Sequence, residues 1–289
     1  MRAIFSYKMM TSVDDLINFC FYNYADLAVK SASKYYKTYL YTDKKGKQLF
    51  EHYGIKFTDV IVLDEIEKYQ GNLICMPKIF AMMAQNEPYI HLDFDTYTTG
   101  RHNLNTSVGF AYPEIDLKSP SVSSETIEYA NSQYVQVYNE FFKGRFEEKF
   151  EITWDWSVVP NFSTFIVNKP SIVKMIYSKI LSETENYLYS KDTPSRLATF
   201  VEQFLFGKYL EYYNIDHSFC YKIRPITITK NEVYINGNKI FLDKPEEIIE
   251  FLQASNYSHF SGYKKCPPFS TVVDMLREKE STSILWKPL

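Results

Sequence analysis

Pro88-Tyr89-Ile90-His91-Leu92-Asp93-Phe94-Asp95 is a short apolar run that stops on two carboxylates. In a strand, residues i and i+2 share a face, so the run predicts a buried strand whose closing acids, Asp93 and Asp95, meet on one cation. A buried strand ending on paired acids points to a metal site at the carboxyl edge of a sheet. An isolated Asp-x-Asp is more often a solvated strand end, so the reading requires a third ligand from elsewhere.

Upstream of this run the pattern alternates. Ala3-Ile4-Phe5-Ser6-Tyr7 reads as a buried strand, and an amphipathic stretch from about Val13 to Tyr36 follows, with Asp14 and Asp15 where acids favour a helix start. Thr38 to Thr42 predicts a second strand, Lys44 to Tyr53 a short helix stopped by Gly54, and Asp59 to Leu63 a third strand. A helix from about Cys75 to Gln85 leads into the Asp93 strand. Strands alternating with helices predict an α/β fold with a mostly parallel sheet flanked by helices. Ligands gather at the carboxyl ends of such strands, which makes Ser6, Tyr7, Thr42, Asp43, Asp64, Asp93 and Asp95 candidates to line one cleft. Taken singly, each is more simply a cap or turn residue.

Downstream of Gly100, residues from about Ser119 to Glu151 are polar, aromatic-rich and expected to be helical. Trp154-Asp155-Trp156 then precedes the apolar run Phe162 to Val167, a further core strand. Helices are expected from about Ser171 to Leu188 and from about Ser195 to Tyr213, the second carrying Glu202-Gln203. Glu232 to Phe241 is expected to be a hairpin, because Asn236-Gly237 supplies the positive φ of a type I′ turn. Two short helices, Pro245 to Ala254 and Ser270 to Lys279, close the chain.

Composition bounds the function. With 289 residues, a formal net charge of -3, 45% hydrophobic and 23% charged residues, the chain has ordinary globular composition and no linker, so a single domain over residues 1–289 is expected. The near-neutral balance leaves no basic stripe, which argues against a nucleic-acid partner. Nine glycines and 17% aromatics, including 25 tyrosines, favour amphipathic ring surfaces that suit a core or a sugar. Cys20, Cys75, Cys220 and Cys266 are scattered without a Cys-x-x-Cys pair, which suits reduced thiols in a cytosol. No window approaches a transmembrane span or a signal peptide, so a cytoplasmic location is expected, with peripheral membrane contact left open.

The third ligand appears late, in Tyr257-Ser258-His259-Phe260-Ser261-Gly262-Tyr263-Lys264-Lys265-Cys266-Pro267-Pro268. A histidine, a glycine three residues on and a lysine three further make a compact turn able to offer imidazole to a metal and ammonium to a phosphate. Two carboxylates and one imidazole suit Mn²⁺ or Mg²⁺, the imidazole favouring Mn²⁺. Alone, His259 would more often be a satisfied loop histidine and Lys265 a solvated lysine.

The strand ending in Asp-x-Asp and the late His-Phe-x-Gly-x-x-Lys segment resemble nucleotide-sugar glycosyltransferases of the Rossmann-like GT-A fold, within them the retaining glycogenin-like and lipopolysaccharide-galactosyltransferase group. Cys266-Pro267 stands where that family has Pro-Trp. The resemblance implies that Asp93, Asp95 and His259 hold the metal, and that Gly262 and Lys265 lie against the donor diphosphate. It also implies a nucleotide-binding half over 1–100, and over 101–289 an acceptor half with a metal-completing C-terminal loop. Lys78 resembles the family's basic donor contact, and Glu202-Gln203 its catalytic pair near the sugar.

The activity expected is transfer of a sugar from a nucleoside diphosphate sugar, a UDP-sugar foremost, to a glycan, lipid or protein acceptor. The metal and Lys265 would stabilise the leaving diphosphate. By position alone, Tyr7 and Thr42 would contact base and ribose, Asp43 would accept from a ribose hydroxyl, and Asp155 is the candidate acceptor-side base if the reaction inverts. Two alternatives stand beside it. The same metal ligands could serve a phosphoesterase or nucleotide-sugar hydrolase, or the chain could be a non-catalytic binding relative.

Overall fold

The computed structural model describes residues 1–9, 19–116, 134–144, 158–190, 193–194, 196–221, 226–228, 233–235, 238–240, 257–259 and 274–278. In chain order its main elements begin with β1 (Arg2–Ser6), α1 (Phe19–Ser33), β2 (Lys37–Thr42), α2 (Lys44–His52), β3 (Asp59–Val62), α3 (Asp64–Lys68), α4 (Met76–Met83), β4 (Tyr89–Leu92) and β5 (Thr96–Thr98). They continue with β6 (Val108–Phe110), β7 (Pro113–Asp116), β8 (Val158–Pro160), β9 (Thr164–Val167), α5 (Pro170–Leu188), α6 (Leu205–Tyr212), β10 (His217–Phe219), β11 (Ile226–Ile228), β12 (Val233–Ile235), β13 (Asn238–Ile240) and β14 (Tyr257–His259). The chain is α/β, with mostly parallel main strands flanked by helices. It divides into two compact units: Met1–Val62 with Ile90–Asn103 and Ile223–Leu289, and Leu63–Tyr89 with Leu104–Lys222.

In the first unit the strand order is β4-β1-β2-β3, and β1, β2 and β3 run parallel, with Ile4 opposite Tyr39 and Tyr41 opposite Ile61. Ala3, Ile4 and Phe5 are wholly buried, as expected of a strand covered on both faces. The β2–α2 junction follows from its sequence. Asp43 is extended, and its carboxylate accepts from the Gly46 N–H at 2.8 Å, satisfying one orphan donor of the first turn of α2. Past the other end, Tyr53 N–H reaches Leu49 O at 3.1 Å and Gly54 takes φ +69°, the left-handed conformation that stops a helix.

Two C-terminal stretches also belong to this unit. β14 pairs antiparallel with β5, placing Tyr257 opposite Thr98 and His259 opposite Thr96. Residues 274–278 are helical, with Leu276 buried, and Arg277 Nε lies 3.0 Å from Asp26 on α1 while its guanidinium sits 5.2 Å from the centre of the Tyr22 ring. The expected hairpin is β12 and β13, antiparallel with Ile235 opposite Asn238, and β11 adds a third strand beyond β12.

In the second unit β6 runs antiparallel to β9 and parallel to β10, in the order β10-β6-β9. Its core is aromatic: Phe110 stacks on Phe165 at 5.0 Å, Phe162 lies 4.6 Å from Phe165, and Phe206 of α6 meets all three edge-on. The expected continuous helix from Ser195 to Tyr213 is interrupted, because Phe200–Phe204 forms a π turn between helical segments. Of the expected Ser119–Glu151 helix, residues 134–144 are described and include a π-helical segment, Tyr138–Phe142; the expected helix over Pro245–Ala254 lies outside the described residues. Among the described residues no helix is long and apolar enough to cross a membrane.

Candidate functional site

The acids of the opening motif lie beyond the strand. β4 ends at Leu92, and Asp93, Phe94 and Asp95 form the turn into β5, which corrects the expectation of strand alternation. The physical cause is local. The Thr96 N–H and Oγ–H both donate to the Asp93 carbonyl, at 3.2 and 2.8 Å, capturing a group that a continued strand would offer to its neighbour. Phe94 then anchors the turn: its ring stacks on Phe5 at 5.2 Å and on Phe50 at 5.1 Å, with Phe21 edge-on at 5.6 Å. Asp93 and Asp95 thus flank a fixed ring, both half-buried. The β5–β14 register sets the backbone of His259 opposite Thr96, the residue after Asp95. Two carboxylates and a histidine are the donor types that Mn²⁺ or Mg²⁺ accepts. Among the described side chains no group of three His, Cys, Asp or Glu is placed to hold a metal. The expectations for Gly262 and Lys265 lie outside the described residues.

At the ends of β1 and β2 the expected nucleotide contacts have structural work. Thr42 is wholly buried, and Asp43 uses Oδ1 as the helix cap while Oδ2 stands 3.8 Å from Lys8 Nζ. Tyr7 packs edge-on against Phe50, and burial first, then the charge of Asp43, pushes its phenol well up, so it stays a neutral hydroxyl at pH 7. Ser6 Oγ lies 2.9 Å from Nε2 of His91, the β4 histidine two residues before Asp93.

The second unit joins two residues that the sequence suggested for separate roles. Lys78 Nζ sits 2.7 Å from Glu202 Oε1 and donates to the Phe162 carbonyl at 2.7 Å, with both side chains about nine-tenths buried. Glu202 is carried by the π turn, whose extra residue shifts side-chain direction relative to a regular helix, and its carbonyl accepts from Tyr177 Oη at 3.3 Å. Gln203 Oε1 accepts from Tyr134 Oη at 3.4 Å. Cys75 is buried nearby; burial first and the Glu202 charge second hold its thiol well above the usual range, so it is no nucleophile. Asp155 lies outside the described residues.

Sequence reasoning passed over two residues beside its candidates, Lys8 and His91. The signal for His91 was present, since in the strand expected from sequence the i–2 position shares a face with Asp93, but its partner Ser6 comes from a strand distant in sequence.

Residues 17–146 match a protein family described as "Family of unknown function (DUF6734)". No curated protein matches the chain. Among solved structures, the chain is similar to mouse xyloside xylosyltransferase 1 in its apo form, at 11% identity over 92% of this chain and 98% of that one, with TM-score 0.43. It is similar also to the galactosyltransferase LgtC in complex with donor and acceptor sugar analogs, at 10% identity over 98% of this chain and 96% of that one, TM-score 0.41. Against the apo form of the glycosyltransferase GlyE in Streptococcus pneumoniae TIGR4 the identity is 8% over 99% of this chain and 64% of that one, TM-score 0.41.

Proposed function

We propose that the chain is a metal-dependent glycosyltransferase of the GT-A type, moving a sugar from a nucleoside diphosphate sugar, UDP-linked foremost, to a glycan, lipid or protein acceptor with retention. The observation that carries the reading is the register of β14 on β5, which sets the backbone of His259, the first residue of the late segment, opposite Thr96, the residue after Asp95. The stretches of chain that carry the acids and the histidine, far apart in sequence, are neighbours through this strand pair.

In this reading Asp93, Asp95 and His259 hold Mn²⁺ or Mg²⁺, and Gly262 and Lys265 lie against the donor diphosphate. When bound, the cation supplies Lewis acidity to the leaving oxygen. Lys265 adds a charge-assisted contact to the same phosphates. Glu202, held by Lys78, and Gln203 are the catalytic pair of this reading. The role proposed for Lys78 is therefore indirect, through Glu202. The protein belongs in this reading to a cytoplasmic setting, where Cys75 and Cys220 stand as free thiols.

The test is a panel of nucleotide sugars in a thermal-shift assay with and without Mn²⁺, followed by product analysis with sugar acceptors. The expected outcome is a rise in Tm for UDP-sugars only with Mn²⁺, since a ligand at 100 times its Kd stabilises the native state by about 2.7 kcal/mol. Transfer to an acceptor should follow. Release of sugar phosphate with no transfer would make the chain a hydrolase, and no shift with any nucleotide sugar would make it a non-catalytic relative.

A further inference from the structure

We infer that His91 is a positioning residue that aims the Asp93 carboxylate, with Ser6 seating the far side of its ring. His91 lies on β4 with its side chain 2% exposed, between two polar partners on opposite ring nitrogens: Ser6 Oγ at 2.9 Å from Nε2, and Asp93 Oδ1 at 3.7 Å from Nδ1. Both partners belong to the same compact unit, Ser6 at the end of β1 and Asp93 at the start of the turn after β4.

The tautomer follows from electrostatics. A bare Nδ1 lone pair facing a carboxylate is repelled, whereas an Nδ1–H dipole is attracted, so of the two neutral tautomers the Nδ1–H form is favoured, with Nε2 accepting from the Ser6 hydroxyl. At 3.7 Å the Nδ1 to Asp93 contact is longer than a hydrogen bond, and it acts as a charge–dipole attraction on an aspartate whose side chain is 34% exposed. A buried ring hydrogen-bonded at its far nitrogen is a rigid platform for the contact with Asp93. The ring therefore favours the Asp93 rotamer that keeps Oδ1 beside Nδ1. This is the arrangement by which outer groups orient a ligating carboxylate, and their loss typically costs roughly 10- to 100-fold in metal affinity.

The inference rests on the metal reading for its consequence, but not for its geometry, so the experiment has two arms. In metal-free protein, ¹⁵N-resolved NMR of the His91 ring should show Nδ1 protonated and Nε2 as a bare acceptor, with the Nε2 signal displaced in Ser6→Ala. Mn²⁺ affinity without nucleotide is then measured for the wild type and for three replacements. His91→Phe keeps the ring volume and removes both contacts; His91→Asn keeps an N–H near the Nδ1 position; His91→Gln keeps one near Nε2.

The expected order is wild type tightest, Asn next, and Gln and Phe weaker by roughly 10- to 100-fold. An Nε2-protonated ring in the wild type, or a folded His91→Phe that binds Mn²⁺ as the wild type does, would overturn the inference. A merely structural role would leave Asn and Gln alike, which also counts against it. Should the wild type show the Nδ1–H ring yet take up no Mn²⁺, the metal reading falls while the His91 to Asp93 contact stands. Covalent capture of Ser6 by a serine-directed phosphonate would show a nucleophilic triad in place of a positioning chain.

Discussion

The buried pair of Lys78 and Glu202 joins side chains that composition alone would leave in solvent. An exposed pair contributes about 0 to 1 kcal/mol, but breaking a buried one leaves an uncompensated charge and costs about 3 to 5 kcal/mol. Both side chains are about nine-tenths buried, so the larger range applies. Lys78→Met should lower unfolding free energy by about 3 kcal/mol in urea denaturation, and adding Glu202→Leu should recover most of that loss. A single-mutant cost under about 1 kcal/mol would mean that Lys78 does not hold Glu202. Each of the two residues was selectable from sequence by type and position. Their contact was not, because it depends on how α4 and the π turn pack together.

At the level of elements, the β2–α2 junction shows a local rule reversed by packing. Alanine in place of a helix-interior glycine normally gains about 1 kcal/mol. At Gly46 a Cβ would stand 2.0 Å from Thr42 Oγ1, 2.8 Å from Asp43 Oδ1 and 2.9 Å from Tyr7 Cδ1, so the side chains that shape this corner would have to move. Overpacking costs about 1 to 3 kcal/mol and outweighs the propensity gain. Gly46→Ala should therefore destabilise by up to about 2 kcal/mol in chemical denaturation, and an increase in stability would show that the corner yields freely.

The same scale explains what the sequence could say. Strand 59–62 and helix 44–52 were readable because periodicity, cap and stop signals agree. Strands β5, β6 and β10 have three residues each, too few for alternation to register. The π turn at Phe200–Phe204 is a one-residue slip in hydrogen bonding that leaves the apolar pattern helical. Asp93 and Asp95 were legible as a pair, yet their turn depends on Thr96 capturing the Asp93 carbonyl and on Phe94 entering an aromatic cluster.

At the scale of the whole chain, the first unit is assembled from three separated segments, and its last one returns to its first two. Arg277 meets Asp26 on α1, and β14 meets β5, so the C-terminal stretch is part of the body that carries Asp93 and Asp95. The proposed site depends on that return, since the acids and the histidine come from segments far apart in the sequence.

The central claim, that Asp93, Asp95 and His259 form one cation site, is tested most directly by pulsed electron paramagnetic resonance of Mn²⁺ added to the protein. The account predicts imidazole ¹⁴N coupling in the wild type, its loss in a folded His259→Ala, and loss of Mn²⁺ binding in Asp95→Ala. Wild-type Mn²⁺ affinity and unchanged ¹⁴N coupling in both variants would contradict it.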